Sequence, residues 1–394
     1  MSATHTDQDH AAGPLAGLIV IELAGIGPGP YAATLLADMG ARVIRIDRPG
    51  TGADRAAAMD VFRRNRESVV VDLRRPEGVE VVRELCRDAD ILIEGFRPGV
   101  TERLGVGPEQ LWEVNPRLVY GRMTGWGQEG PLSHTAGHDI GYIAITGALN
   151  SIGRAGKAPV PPLNLVGDLG GGSLFLVTGV LAAVWEAQRS GHGQVVDAAI
   201  VDGTVSLTGF LHGFLASGRW RDERGVNLLD GGMPWYDTYA TSDGRWMAVG
   251  ALEPQFYQLF TELLELTPEV ARRDDPARWP DLRAAIAAAF ASRTQAEWSA
   301  VFEGTDACVA PVLSLTEAYR HPHLLARGAF EEVDGVMHAA PAPRFSRTGS
   351  RRPSPPRPAG ADTRAVLEAV GVANLDALYE SGVVADAAET TGVH

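Results

Sequence analysis

The chain of 394 residues has one lysine, two cysteines and no apolar run of membrane-spanning length. Each scarcity excludes something. Schiff-base chemistry, pyridoxal phosphate included, is confined to Lys157, which stands in "RAGKAPV" without supporting context. Cys86 and Cys308 can form at most one disulfide, and neither lies in a CxxC or Cys/His spacing, so both read as small packing residues and no metal is expected. The longest apolar stretch, "SLFLVTGVLAAVW", is shorter than the roughly 20 residues that span a bilayer. The start, "MSATHTDQDHAAG", lacks the basic region and apolar run of a secretory signal. Positive charge is also short: 35 Lys and Arg against 49 Asp and Glu give a net charge of −14, which opposes nucleic acid and anionic membranes. A cytoplasmic enzyme with neither kind of partner is the expectation.

What the chain does have is a globular composition, 45% hydrophobic and 21% charged, and a length that suggests more than one domain. "LIVIEL" at 18–23 is a β-branched run that stops at the glycine-rich "AGIGPGP", and "YAATLLADMG" after it reads as a helix closed by Gly40. "ARVIRID", "ESVVVDL", "DILIEGF" and "LVYGRMTG" are further strands, separated by helical segments. This alternation predicts a parallel sheet covered on both faces. A long helix is expected from Asp168 through "LGGGSLFLVTGVLAAVWEAQRSG", and "VVDAAIVDGTVSLTGFLHGFLASG" reads as more helix. From "DGGMPWYDTYATSDG" onward, aromatic residues and Asp-Gly turns predict short antiparallel strands, followed by helices, one opened by a Thr294/Glu297 capping box. "PAPRFSRTGSRRPSPPRPAG" holds five arginines, no acid and many prolines, and is an extended connector.

A strand, "GIGPGP" and a second strand ending in Asp47 imitate a nicotinamide-binding unit, so a dehydrogenase is a rival reading. The details oppose it. After Gly25, Gly27 and Gly29 the third fingerprint glycine is absent, and Pro28 and Pro30 remove two N–H donors where a pyrophosphate would need them. Between Arg42 and Arg75 nine arginines face five acids, which reads either as a solvated edge or as a phosphate-binding surface.

Two further stretches carry chemistry. In "TAGHDIGY", His138 is either a core histidine bonded to backbone or an acid/base group. In "PPLNLVGDLGGGS", Asp168 precedes a glycine-rich helix start, as a cap or as a base beside unpaired N–H groups able to hold an oxyanion. If the fold brings these residues to opposite faces of one substrate carbon, they can invert it by proton transfer. Their reference pKa values, about 3.9 and 6.5, differ by roughly 3.5 kcal/mol, which burial can narrow.

At these motifs, and at "ELAGIGPGPYAATLLADMGARVIRIDRPG", "LIEGFRPGVTERLG", "RMTGWGQEGP", "GQVVDAAIVDG", "DGGMPWYDTY" and "DACVAPVL", the chain resembles the family III CoA-transferase superfamily, and within it the α-methylacyl-CoA racemases. The resemblance implies an interlocked homodimer with a Rossmann-like large domain built from both chain ends and a smaller α+β domain. It implies conversion between (R)- and (S)-2-methylacyl-CoA thioesters through an enolate, with no metal or organic cofactor, CoA entering as part of the substrate. Residue by residue, it makes His138 and Asp168 the acid/base pair, Glu253 the carboxylate that orients the histidine across the dimer, and Asn164 a neighbour of the reacting centre. It assigns CoA binding to Arg48, to Val71, Asp72, Leu73 and Arg74, to Arg97 and Arg103, and to Gly137, Asp139, Ile140, Gly141 and Tyr142. Gly141 departs from the racemase pattern, which has asparagine before the tyrosine, and bears on acyl preference or CoA fit. Transferases of this superfamily instead use the equivalent of Asp168 as a nucleophile, and generally lack the histidine. The expected boundaries are 14–200 for the first part of the large domain, 201–231 for a helical linker, 232–330 for the small domain, and 331–385 for the return, with disordered tails at 1–13 and 386–394.

Overall fold

A computed structural model of the chain describes residues 13–50 and 60–387. Of the two tails, therefore, 1–12 and 388–394 lie outside the described residues. The chain divides into two compact units, one formed by 1–146, 163–207 and 322–394 and the other by 147–162 and 208–321.

The first unit holds a seven-stranded sheet whose strands are β1 (Ile19–Leu23), β2 (Arg42–Asp47), β3 (Arg66–Val71), β4 (Ile91–Glu94), β5 (Val119–Thr124), β6 (Val195–Ala199) and β12 (Val384–Ala385). Their order is β12-β3-β2-β1-β4-β5-β6, all parallel except β12, which runs antiparallel to β3; a separate antiparallel pair, β10 (Phe330–Val333) and β11 (Val336–Ala339), precedes β12 in the chain. Alternate residues of one strand enter two different cores: Ile21 and Ile44 pack with Val82, Leu85 and Leu367, while Val20 and Val43 pack with Leu36, Val180 and Val184. Strands buried on both faces are rich in β-branched apolar residues, and charged ones that they carry, such as Glu22, Arg45 and Arg66, are buried as ion pairs. Connections run in opposite directions from β1, so the sheet has its switch point between β1 and β4, and a crevice opens beyond the carboxyl ends of those strands.

Two segments differ from the reading by sequence. Val195–Ala199 is strand β6, not helix; Tyr120 to Thr124 of β5 supply its partners, a long-range pairing that local propensity does not contain. The helices Ile200–Leu207 and Gly209–Ala216 begin only after it. The helix expected from Asp168 is two structures, a π-helical segment Leu165–Ser173 and then the α-helix Leu174–Ser190. Counter to the expectation from the uninterrupted apolar stretch alone, Leu165–Ser190 together is long and apolar enough to cross a membrane by length and composition. Its face Leu176, Val177, Val180, Ala183, Val184 and Ala187 is buried in the core of the first unit.

In the second unit β7 (Tyr236–Ala240), β8 (Trp246–Gly250) and β9 (Val309–Pro311) form an antiparallel sheet in that order. The helices Pro254–Leu263, Trp279–Phe290 and Gln295–Phe302 bring Phe260, Phe290, Trp298 and Phe302 into its core. Thr294 and Glu297 form the expected capping box, and Ser314 and Glu317 form another. Residues 147–162 also belong here: Arg224 donates to the Lys157 carbonyl (Nε, 2.8 Å) and to Asn150 Oδ1 (2.9 Å), and Arg154 bonds Asp237 and Thr238. The structural division thus places 147–162 apart from the first unit and returns the chain to that unit at 322.

Candidate active site at the switch point

Gly27 ends the loop after β1 with φ +71°, and Pro28 opens the helix Pro28–Asp38 at its first position. Glycine supplies that φ without strain, and a proline with no N–H costs nothing where the helix has no acceptor for it. A Cβ at Gly27 would lie 3.5 Å from Asp168 Oδ2, an ordinary contact, so it is the positive φ that calls for glycine beside the carboxylate. Asp168 lies inside the π-helical segment, not at its cap, which corrects the capping alternative. Ser173 Oγ ties the two elements together, donating to the carbonyls of Pro28 (2.8 Å) and Asp168 (3.1 Å).

His138 is not a core residue. It precedes the helix Asp139–Ile145, its carbonyl accepts the N–H groups of Gly141 (2.8 Å) and Tyr142 (3.2 Å), and its side chain is exposed. With Asp168 it lines a cleft of about 450 Å³ whose other walls include Gly27, Phe96, Arg97, Gly137, Asp139 and Tyr142. Burial raises the pKa of Asp168; the charge of Asp139 adds to this, while Asn164 Nδ2 at 3.5 Å and the charge of His138 oppose it. Burial likewise raises Tyr142, whose hydroxyl donates to the Gly137 carbonyl at 2.5 Å and whose ring meets Trp126 edge-on at 4.8 Å.

The amides beside Asp168 are occupied, contrary to the oxyanion expectation. Asp168 N–H donates to Asp139 Oδ1 at 2.7 Å, and Gly167 N–H bonds the same carboxylate. The resemblance assigns Asp139 to CoA binding; in the structure its side chain fixes the turn that carries Asp168. The approach is close enough that a Cβ on Gly167 would lie 2.3 Å from Asp139 Oδ1. The signal for this role was the acidic residue at the first position of a helix, which does not by itself name its partner.

A second cavity, about 780 Å³, lies beyond β1, β2 and β3 and is lined by Arg48, Val71, Asp72, Leu73 and Arg74. Ile26 and Phe96 stand in the walls of both cavities, a link that sequence reading missed. The basic cluster is mostly internal. Arg45 and Arg66 pair with Glu22 (2.8 and 2.7 Å), Arg64 with Asp38 (2.5 Å) and Arg42 with Glu67 (2.7 Å). These arginines neutralise acids of the sheet and, in Asp38, of the helix Pro28–Asp38, which corrects a solvated edge and withholds them from a phosphate. The fork of exposed Arg74 is itself held by Asp72, whose carboxyl the guanidinium keeps down at about 2. Arg103 and Ile140 are exposed, and they, Asn164 and Gly141 are in neither lining.

The sequence profile of CoA-transferase family III matches residues 15–363. The chain belongs to that family. As a family III CoA-transferase homologue it is 46% identical over 336 residues to mouse alpha-methylacyl-CoA racemase, covering 85% of this chain and 87% of the mouse protein. The human alpha-methylacyl-CoA racemase is also 46% identical, over 331 residues, covering 83% and 86% of the two chains. A crystal structure of a CaiB/BaiF family protein from Brucella suis superposes with a TM-score of 0.77 at 26% identity, over 91% of this chain and all of that one. In this family III member the second unit has a cavity of its own, about 780 Å³, with Arg154 and Asp237 in its wall and Asp237 bridging Arg154 and Arg283. Asp230 there accepts the N–H groups of Gly225, Asn227 and Gly232, so "DGGMPWYD" works as a folding motif of that unit. Glu253 is in the second unit too, exposed, immediately before the helix Pro254–Leu263.

Proposed function

We propose that the chain is an α-methylacyl-CoA racemase. It interconverts (R)- and (S)-2-methylacyl-CoA thioesters by removing and returning the C2 proton through an enolate, His138 serving one face and Asp168 the other. The observation that carries the reading is the cleft at the switch point whose walls include both an exposed histidine and a half-buried carboxylate. The two mammalian racemases, at 46% identity, support it.

The electrostatics suit a reversible transfer. In water the proton would favour histidine over aspartate by roughly 3.5 kcal/mol. Burial and the neighbouring Asp139 raise Asp168 toward the histidine, which brings the two protonation states closer in energy. The thioester lowers the cost of taking the α-proton. Arg97 in the cleft and Arg48 in the adjoining cavity meet the anionic CoA moiety. The proposal calls on no metal or organic cofactor. It includes a cytoplasmic homodimer in which Glu253 of one subunit orients the histidine of the other.

The test is (S)-2-methylacyl-CoA incubated with the protein in D₂O, with a free carboxylic acid present as acceptor, read by mass and chirality. One deuterium at C2 together with the (R) form is the expected result. CoA on the added acid, with C2 undisturbed, would instead make Asp168 the nucleophile of a family III CoA-transferase.

A further inference from the structure

Arg273 lies in the second unit, between the helices Pro254–Leu263 and Trp279–Phe290. Its neighbour Arg272 pairs on the surface with Asp274 (3.1 Å), but Arg273 turns inward and makes no salt bridge among the described residues. Its Nη1 donates to the carbonyls of Leu252 (2.9 Å) and Ala251 (3.3 Å), the two residues immediately before Glu253. The guanidinium lies over the ring of Tyr257 at 4.3 Å and against that of Trp235 at 5.2 Å.

Tyr257 and the backbone of Arg273 are fixed in turn. Tyr257 N–H donates to the Glu253 carbonyl (2.9 Å) and its hydroxyl to the Ala271 carbonyl (2.7 Å); Trp279 Nε1 donates to the carbonyl of Arg273 itself (3.0 Å). Arg273 therefore grips the backbone on one side of Glu253 by hydrogen bonds and the turn on its other side by stacking. A half-buried cation without a paired carboxylate needs compensation, which carbonyls and aromatic faces supply. Glu253 is the carboxylate whose charge acts on it, and that charge also holds up the thiol of Cys308 after burial.

We propose that Arg273 is the positioning residue for Glu253: its Nη1 hydrogen bonds and aromatic stack set where the Glu253 carboxylate is presented. This rests on the reading that Glu253 orients His138. Lysine cannot replace it fully, because an ammonium lacks the planar face that lies over Tyr257 and Trp235.

The experiment is a double-mutant cycle in the full chain with Glu253→Gln, Arg273→Gln and their combination, plus Arg273→Lys, following racemisation kinetics and their pH dependence. Glu253→Gln and Arg273→Gln are each expected to lower kcat about 10- to 100-fold with KM within about threefold. Both should move the histidine limb of the pH profile to lower pH, since an imidazolium loses its carboxylate. The double variant should be no slower than Glu253→Gln alone, and Arg273→Lys should recover part of the loss. Multiplying losses in the double variant, or an unmoved pH limb in Arg273→Gln, would overturn the positioning role while leaving Glu253 in place. A fully active Glu253→Gln would remove both. Should Arg273→Gln not fold, Arg273→Lys in the Glu253→Gln background gives the same cycle.

Discussion

Two carboxylates separated by one hydrogen-bonded amide determine what Asp168 can do. Burial and the charge of Asp139 raise its pKa, so at neutral pH the folded protein holds a charge it would hold more easily when unfolded. A raised carboxylate stabilises the fold fully below its ordinary value of about 3.9, and that contribution is lost as pH rises through the folded value. Asp168→Asn should therefore abolish racemisation yet melt no lower than wild type at pH 7, with any gain shrinking toward pH 4. Calorimetry at both pH values decides this, and a lower melting temperature at pH 7 would contradict it. Asp139→Asn removes the charge that raises Asp168 and weakens its hold on the Gly167 and Asp168 amides. The Asp168 limb of the pH profile should fall and kcat drop about tenfold, a general acid/base pair being worth 10²–10⁴ in all. An unchanged limb would mean that Asp139 has no electrostatic part. His138 and Asp168 were legible in the sequence because their motifs resemble a known family. The grip of Asp139 was not, since it joins loops 29 residues apart and leaves no local pattern.

Strand ends set the site, and the end of β4 has a titrating group of its own. Glu94 is buried there, its Oε2 accepting the Phe96 N–H at 2.6 Å, and Phe96 is a wall of both cavities. Burial pushes its carboxyl up to about 7, against the opposing pull of the Phe96 amide and of Arg122 at 3.6 Å. From an ordinary 4.5, that rise corresponds to up to about 3 kcal/mol, present below the ordinary value and lost as pH climbs through about 7. Glu94→Gln should flatten this loss: the urea midpoint of the variant relative to wild type should rise between pH 5 and pH 8. A variant weaker at pH 8 than at pH 5 would show that the Arg122 attraction dominates. At this scale the parallel strands were readable, because burial on both faces forces apolar runs. The edge strand β6 and the π-helical turn were not. "VVDAA" with a burial pattern open on its outer side has no strand signature without β5 beside it. The turn depends on glycine packing: a Cβ at Gly203 would fall 1.9 Å from the Gly171 carbonyl oxygen.

The whole first unit depends on residues from both ends of the chain. After the proline-rich connector, Asp362 Oδ2 accepts the Ser68 N–H (2.9 Å) and Thr363 Oγ1 accepts the Val70 N–H (3.0 Å), both on β3. Strand β12 completes that side by pairing Val384 with Val71 and Ala385 with Val70. An edge strand left open exposes unpaired N–H and C=O groups and invites other chains to pair with it. The same return buries Val366, Leu367, Val383 and Val384 at 0–1% exposure in the core of the first unit. At about 1.5–3 kcal/mol for each buried aliphatic side chain, these four together rival the whole stability of a domain, roughly 5–15 kcal/mol. The connector was legible from its prolines and arginines, and its destination from the resemblance, but the covering of β3 appears only once Ser68 and Val70 have their partners. A chain ending at 340 should accordingly lose cooperative melting, expose protease sites in the first unit and aggregate. Asp362→Ala with Thr363→Val should lower the melting temperature while keeping the fold, because two edge amides lose their acceptors at about 1–3 kcal/mol each. If the truncated chain stayed monodisperse, with an unchanged near-ultraviolet circular dichroism spectrum and a single melting transition, the return segment would be a passenger and the first unit would fold from its earlier segments alone.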